Sequence, residues 1–175
     1  MIKLLTVFWN IMLKRSGQET LPDSNFFLGL VFIFYFLTQL ISGIKVSDSI
    51  DMFLKSFVID AVFLAVWLRL LVEFFGTQSY FRRSLIALFG TGGIFNIIAS
   101  PLIIEFSNYM QTTEMVDELQ IPVWLTVSFL LVAIWSVIIM AHIFSKVMSK
   151  PTYSMLVAIA YLMVNFLVQS LVLGL

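Results

Sequence analysis

Asp60 offers the most chemistry in this sequence, because it interrupts a run, Phe57-Val58-Ile59-Asp60-Ala61-Val62-Phe63, whose other members suit lipid. An acid near the centre of a membrane helix costs about 2.5–3.5 kcal/mol on insertion scales, so it needs partners or a purpose. Gln39, Asn96, Ser128 and Asn165 also stand inside apolar runs. Together the five residues suit either of two roles. One is an intramembrane site for a substrate, an ion or a proton. The other is glue between helices, in which amides and hydroxyls bond a neutral, protonated Asp60. No cation lies at the depth of Asp60, and the balance favours glue.

The remaining polar residues read more simply. Arg69 and Glu73 are spaced to pair across one helical turn. Arg82, Arg83, Lys14 and Arg15 suit contacts with anionic lipid or a partner's acidic surface. His142 stands near the end of an apolar run, where it faces headgroups or titrates against Glu73. Gly90, Gly92 and Gly93, with Thr91, allow helices to approach closely or mark a broken helix that exposes its backbone.

Several classes are excluded. No HExxH, GxSxG or phosphate-binding loop occurs, and Asp60 has no second acid at its depth. The chain has no cysteine and one histidine, too few for thiolate chemistry or a multi-histidine metal site. The expectation is a protein that is not an enzyme and holds no cofactor or metal. A formal net charge of zero gives no bulk attraction to nucleic acid.

The elements that position these residues follow from composition. Residues are 61% hydrophobic and only 11% charged, whereas a soluble domain needs about a quarter charged. Mean hydropathy is +1.03. Charge-free stretches predict spans at about 26–44, 83–104, 121–145 and 152–174, each long enough for ~30 Å of hydrocarbon. A fifth span, 52–75, is accepted despite its charges, since Lys55 snorkels and Arg69 pairs with Glu73. The fold class is all-α: a five-helix transmembrane bundle over 26–175, preceded by a cytoplasmic segment, 1–25. Pro101 falls near the end of the third span, Pro122 and Pro151 near the starts of the fourth and fifth. Asp23-Ser24 offers a cap to the first span, and the stretch from Glu105 to Gln120 has room for substructure.

Orientation follows from the basic residues. Lys3, Lys14, Arg15, Arg82, Arg83, Lys146 and Lys150 fall on one side, assigned to the cytoplasm. The other side holds Lys45 and the acids Asp48, Asp51, Glu105, Glu114, Asp117 and Glu118. Five spans then place the C-terminus outside, and bring Asp60, Asn96, Asn165, Ser128 and Gln39 to one layer. Near the N-terminus, Lys3, Thr6, Asn10 and Lys14 recur opposite Leu4, Leu5, Phe8, Trp9, Ile11 and Met12. That pattern predicts an amphipathic helix lying in the cytoplasmic headgroup region.

Two stretches, FFGTQSYFRRSLIALFGTGGIFNIIASPL and VAIWSVIIMAHIFSKVMSKPTYSML, resemble the Yip family of small polytopic membrane proteins (Yip-domain, YIPF-like). In each, a basic loop adjoins an apolar span. The resemblance lies in the segment from Glu73 to Tyr153, about half of the chain. It implies five spans, a cytoplasmic N-terminus and a role in membrane organisation or trafficking, as in a small bacterial inner-membrane relative. The long cytoplasmic domain of eukaryotic members has no counterpart here, so Rab binding is not implied, and no functional residues carry over.

The first functional expectation is therefore a non-enzymatic scaffold or assembly partner in contact with membrane lipids and with another membrane protein or a second copy. The alternative is a small transporter or channel component centred on Asp60.

Overall fold

The computed structural model describes residues 2–47, 49–112, 121–148 and 151–174, and every regular element among them is helical. In chain order these are α1 (Ile2–Met12), α2 (Asn25–Val46), α3 (Ile50–Phe74), α4 (Phe81–Thr112), α5 (Val123–Val147) and α6 (Ser154–Leu173), joined by short connections that include single 3-10 turns. Asp48, Glu114, Asp117, Glu118, Gln120 and Lys150 lie outside the described residues, as do the side chains of Lys3, Leu4, Lys45 and Pro151.

Local chemistry sets the helix boundaries. Ser24 accepts from the Phe27 amide and Ser49 from the Met52 amide, so each satisfies an orphan donor at a helix start. Asp23, the other candidate cap, instead receives Arg82 at 2.7 Å. Pro122 immediately precedes α5, where its missing donor costs little. Pro101 is not a terminator. It lies inside α4, which continues through Glu105 to Thr112. The first part of the stretch expected to hold substructure is thus the end of one 32-residue helix.

Among the described residues four helices are long and apolar enough to cross a membrane: residues 25–44 of α2, 78–110 around α4, then α5 and α6. Helix α3 is not among these four, and its sequence carries Asp51, Lys55, Asp60, Arg69 and Glu73.

α4 is the hub: it lies along α2, also packs on α5 and α1, and touches α3, while α6 bridges α5 and α3. Glycines set its close approaches. A Cβ on Gly90 would collide with the Phe8 ring of α1. On Gly93 it would come within 2.5 Å of Phe34, and on Gly92 within 3.0 Å of Tyr35, both in α2. The helix passes unbroken through Gly90–Gly93, as close packing requires and a broken helix does not.

The N-terminal helix is present as expected, and one side of it packs into the bundle. Phe8, Ile11 and Met12 are buried in the core, while Leu5 and Trp9 stay exposed. The Trp135 indole donates to the Met12 carbonyl at 3.2 Å, and its ring meets Trp9 edge-on at 6.2 Å. Apolar residues that pack inside and those that stay exposed look alike in sequence, and here the same stripe contains both.

Segments far apart in sequence meet at one end of the bundle. Gln18 donates to Ser84 of α4 and to the Ile143 carbonyl of α5. Thr77 donates to the Val147 carbonyl, and His142 Nε2 lies 3.1 Å from the Ser16 carbonyl. Lys146 lies 3.5 Å from Glu19. The segment after α1, the α3–α4 connection and the end of α5 therefore share one end.

Candidate functional site

Asp60 is turned into the bundle and receives donors from the helices on either side of it. Tyr35 of α2 donates its hydroxyl to Oδ2 at 2.6 Å. From α6, Asn165 donates its amide to Oδ1 at 3.0 Å and Tyr161 its hydroxyl at 3.5 Å. Three uncharged donors thus converge on one carboxyl group.

The rings that carry these hydroxyls are held by other rings. Tyr35 lies 5.2 Å from Phe89 and 5.9 Å from Phe57, and Tyr161 stacks 5.5 Å from Phe63 with Trp67 at 6.0 Å. Gly92 leaves room for the Tyr35 ring against α4. One turn along, Ser56 of α3 donates to Gln169 of α6 at 3.1 Å. Ser56 and Asp60 therefore face Gln169 and Asn165 as two rungs of an antiparallel ladder, both at four-residue spacing.

Beside this ladder is a cavity of about 270 Å³. All five long helices contribute to its wall, with Tyr35, Asp60, Thr91, Asn96, Ser136, Tyr161 and Asn165 as its polar lining. Thr91 and Ser136 donate to the Ala87 and Ala133 carbonyls of their own helices, leaving their oxygens as acceptors. Asn96 Nδ2 and Asn165 Oδ1 are buried without a hydrogen-bond partner among the described residues. The lining contains no Lys, Arg or His.

The structure divides the expected five-residue layer. Asp60, Asn96 and Asn165 come together. Ser128 does not: its hydroxyl donates to the Trp124 carbonyl of its own helix. Gln39 also stands apart, in a smaller cavity of about 170 Å³ with Ser42, Ser47 and Ser56. Distance along a helix axis sets depth, but direction around the axis sets which neighbour a side chain meets, and both residues point elsewhere. Tyr35 and Tyr161 were missed. Their signal was spacing: Tyr161, Asn165 and Gln169 recur every four residues, as do Tyr35 and Gln39.

The basic residues divide similarly. Arg69 pairs with Glu73 at 2.6 Å as expected, and its guanidinium also lies 5.6 Å from the Phe81 ring centre. Arg82, expected to contact lipid or a partner, is paired with Asp23. Arg83 Nε is buried without a partner. Lys14 and Arg15 are exposed, and Lys14 helps line a groove of about 410 Å³ with His142, Ser145 and Ser154. Among the described residues no group of three His, Cys, Asp or Glu is placed to hold a metal ion.

Comparison with protein-family models, with curated proteins and with solved structures finds no match to this chain.

Proposed function

We propose that the chain is an integral membrane protein in which α2 to α6 each cross the bilayer. In this reading it sits in a bacterial inner membrane with its N-terminus in the cytoplasm and its C-terminus outside. Its role is non-enzymatic: a scaffold, assembly or membrane-organisation partner of the Yip-domain type, in contact with lipid and with another membrane protein or a second copy of itself.

One observation carries the reading, the way α3 disposes of its charges. Asp60 is directed inward to Tyr35, Tyr161 and Asn165, Lys55 pairs with Asp51 near one end, and Arg69 pairs with Glu73 near the other. Along the same helix Leu54, Val58, Val62, Val66 and Leu70 are exposed at four-residue spacing, a ridge that the exposed Lys55 and Arg69 side chains flank near its two ends. Such a ridge suits lipid or a partner helix and suits water poorly.

Site-directed cross-linking along Leu54–Leu70 in native membranes tests the role. A discrete product to one membrane protein or to a second copy, at one face of the ridge, is expected. Labelling of lipid alone at every position overturns the scaffold role.

A second reading, a small transporter or channel component, is favoured by the cavity beside Asp60 with its unpartnered Asn96 and Asn165 atoms. Loss of solute movement in Asp60→Asn, with insertion and assembly intact, distinguishes it from the first.

A further inference from the structure

We propose that the cavity beside Asp60 binds a small organic ammonium compound, with its cationic head against the Asp60 carboxylate. The assignment rests on the second reading above, that this cavity is a ligand site, and adds the class of ligand.

Charge balance is the first argument. An ionised carboxylate is an acceptor-only group, and the three groups that reach Asp60 are all donors, as such a group requires. None of them carries a positive charge. The nearest cations on the same helix, Lys55 and Arg69, are already held by Asp51 and Glu73 near its ends. Asp60 is part-buried against a cavity whose lining, among the described residues, holds no Lys, Arg or His, so a cationic group entering there meets a carboxyl group that no other cation opposes. The cavity is where such a group fits.

Size and wall chemistry choose among cations. At ~30 Å³ per water, 270 Å³ is room for several non-hydrogen atoms, far more than a bare monovalent metal ion fills. The wall includes the aromatic rings of Tyr35, Phe95 and Tyr161, whose faces attract an organic cation once water is excluded. Asn96 and Asn165 also line the cavity and give part of its wall the amide character that suits a polar tail. A metal ion would use few of these groups, and a neutral solute would leave the carboxylate uncompensated.

The test uses the full chain in lipid nanodiscs, with choline as probe and 3,3-dimethyl-1-butanol as its neutral isostere. Binding is read by calorimetry and by the rise in Tm. Choline is expected to bind saturably and raise Tm, and the alcohol to do neither. Asp60→Asn is expected to weaken choline binding at least tenfold. Asn96→Leu, which keeps Asp60 and its three donors but replaces a polar wall group by a bulkier apolar one, is expected to do the same, and Ser128→Ala to bind normally. An equal response to the alcohol overturns the proposal, as does undiminished choline binding by folded Asn96→Leu, or a full Tm rise from sodium chloride to which choline adds nothing. Uptake into proteoliposomes is a separate measurement. Binding without uptake removes the transport reading and leaves the ligand class standing, whereas uptake of an uncharged solute without choline binding does the reverse.

Discussion

Tyr35 contributes more to the polar centre than Tyr161, because its hydroxyl reaches the carboxyl group at 2.6 Å and that of Tyr161 at 3.5 Å. A hydrogen bond to a charged group contributes about 1.5–3 kcal/mol, and bonds between membrane helices average lower, about 0.6 kcal/mol. Tyr35→Phe is therefore expected to lower unfolding stability in detergent by about 1–2 kcal/mol, and Tyr161→Phe by less. The reverse order in thermal or denaturant unfolding contradicts the geometry. Asp60 was legible in the sequence as a lone acid in an apolar run. Most of its partners were not, since tyrosine in a membrane span reads first as an interfacial aromatic. Ser128 shows the converse: counting residues gave a plausible depth, but nothing in α5 alone revealed that its hydroxyl returns to Trp124.

Helices α1 and α4 depend on each other through a position with no side chain. Gly90 lies against the Phe8 ring, whereas Gly29 on α2 has open space around it. Gly90→Val is expected to displace Phe8 and loosen α1, at about 1–3 kcal/mol for overpacking, with a change in fluorescence as Trp9 leaves Trp135. Gly29→Val is expected to leave that fluorescence unchanged; equal responses refute the assigned contact. For α3 the comparison is within one helix. If the ridge faces lipid, Val62→Arg is expected to oppose insertion by about 2.5–3.5 kcal/mol in a glycosylation or reporter assay, and Val62→Leu to have no effect. The helices themselves were readable from hydrophobic runs and caps. The docking of α1 was not, because an amphipathic pattern separates polar from apolar but does not say whether the apolar side meets lipid or protein.

At the scale of the whole molecule, three connections rich in basic residues gather in the structure. The segment after α1, the α3–α4 connection and the end of α5 meet at one end. The absence of cysteine from the chain makes sidedness measurable with single substitutions. Under the five-span proposal, Ser79→Cys is labelled by an impermeant reagent only after the membrane is opened, Ile121→Cys is labelled without opening it, and a reporter fused after Leu175 is active outside. A cytoplasmic reporter removes α3 from the membrane or reverses the assignment. The gathering of one end was legible from charge alone, because bundles of short-looped helices place alternate connections on the same side. The convergence of five helices around one cavity was not, since it depends on how each helix is rotated toward the others.

The bond between Asp60 and Asn165 joins residues 105 positions apart. At roughly 5–20 residues per second, a ribosome needs on the order of 5–20 s to travel from one codon to the other. Tyr35, already synthesised, is available to shield the carboxyl group throughout that interval, while Tyr161 and Asn165 arrive almost together at its close. The earliest partner to be made is thus also the nearest one in the folded protein.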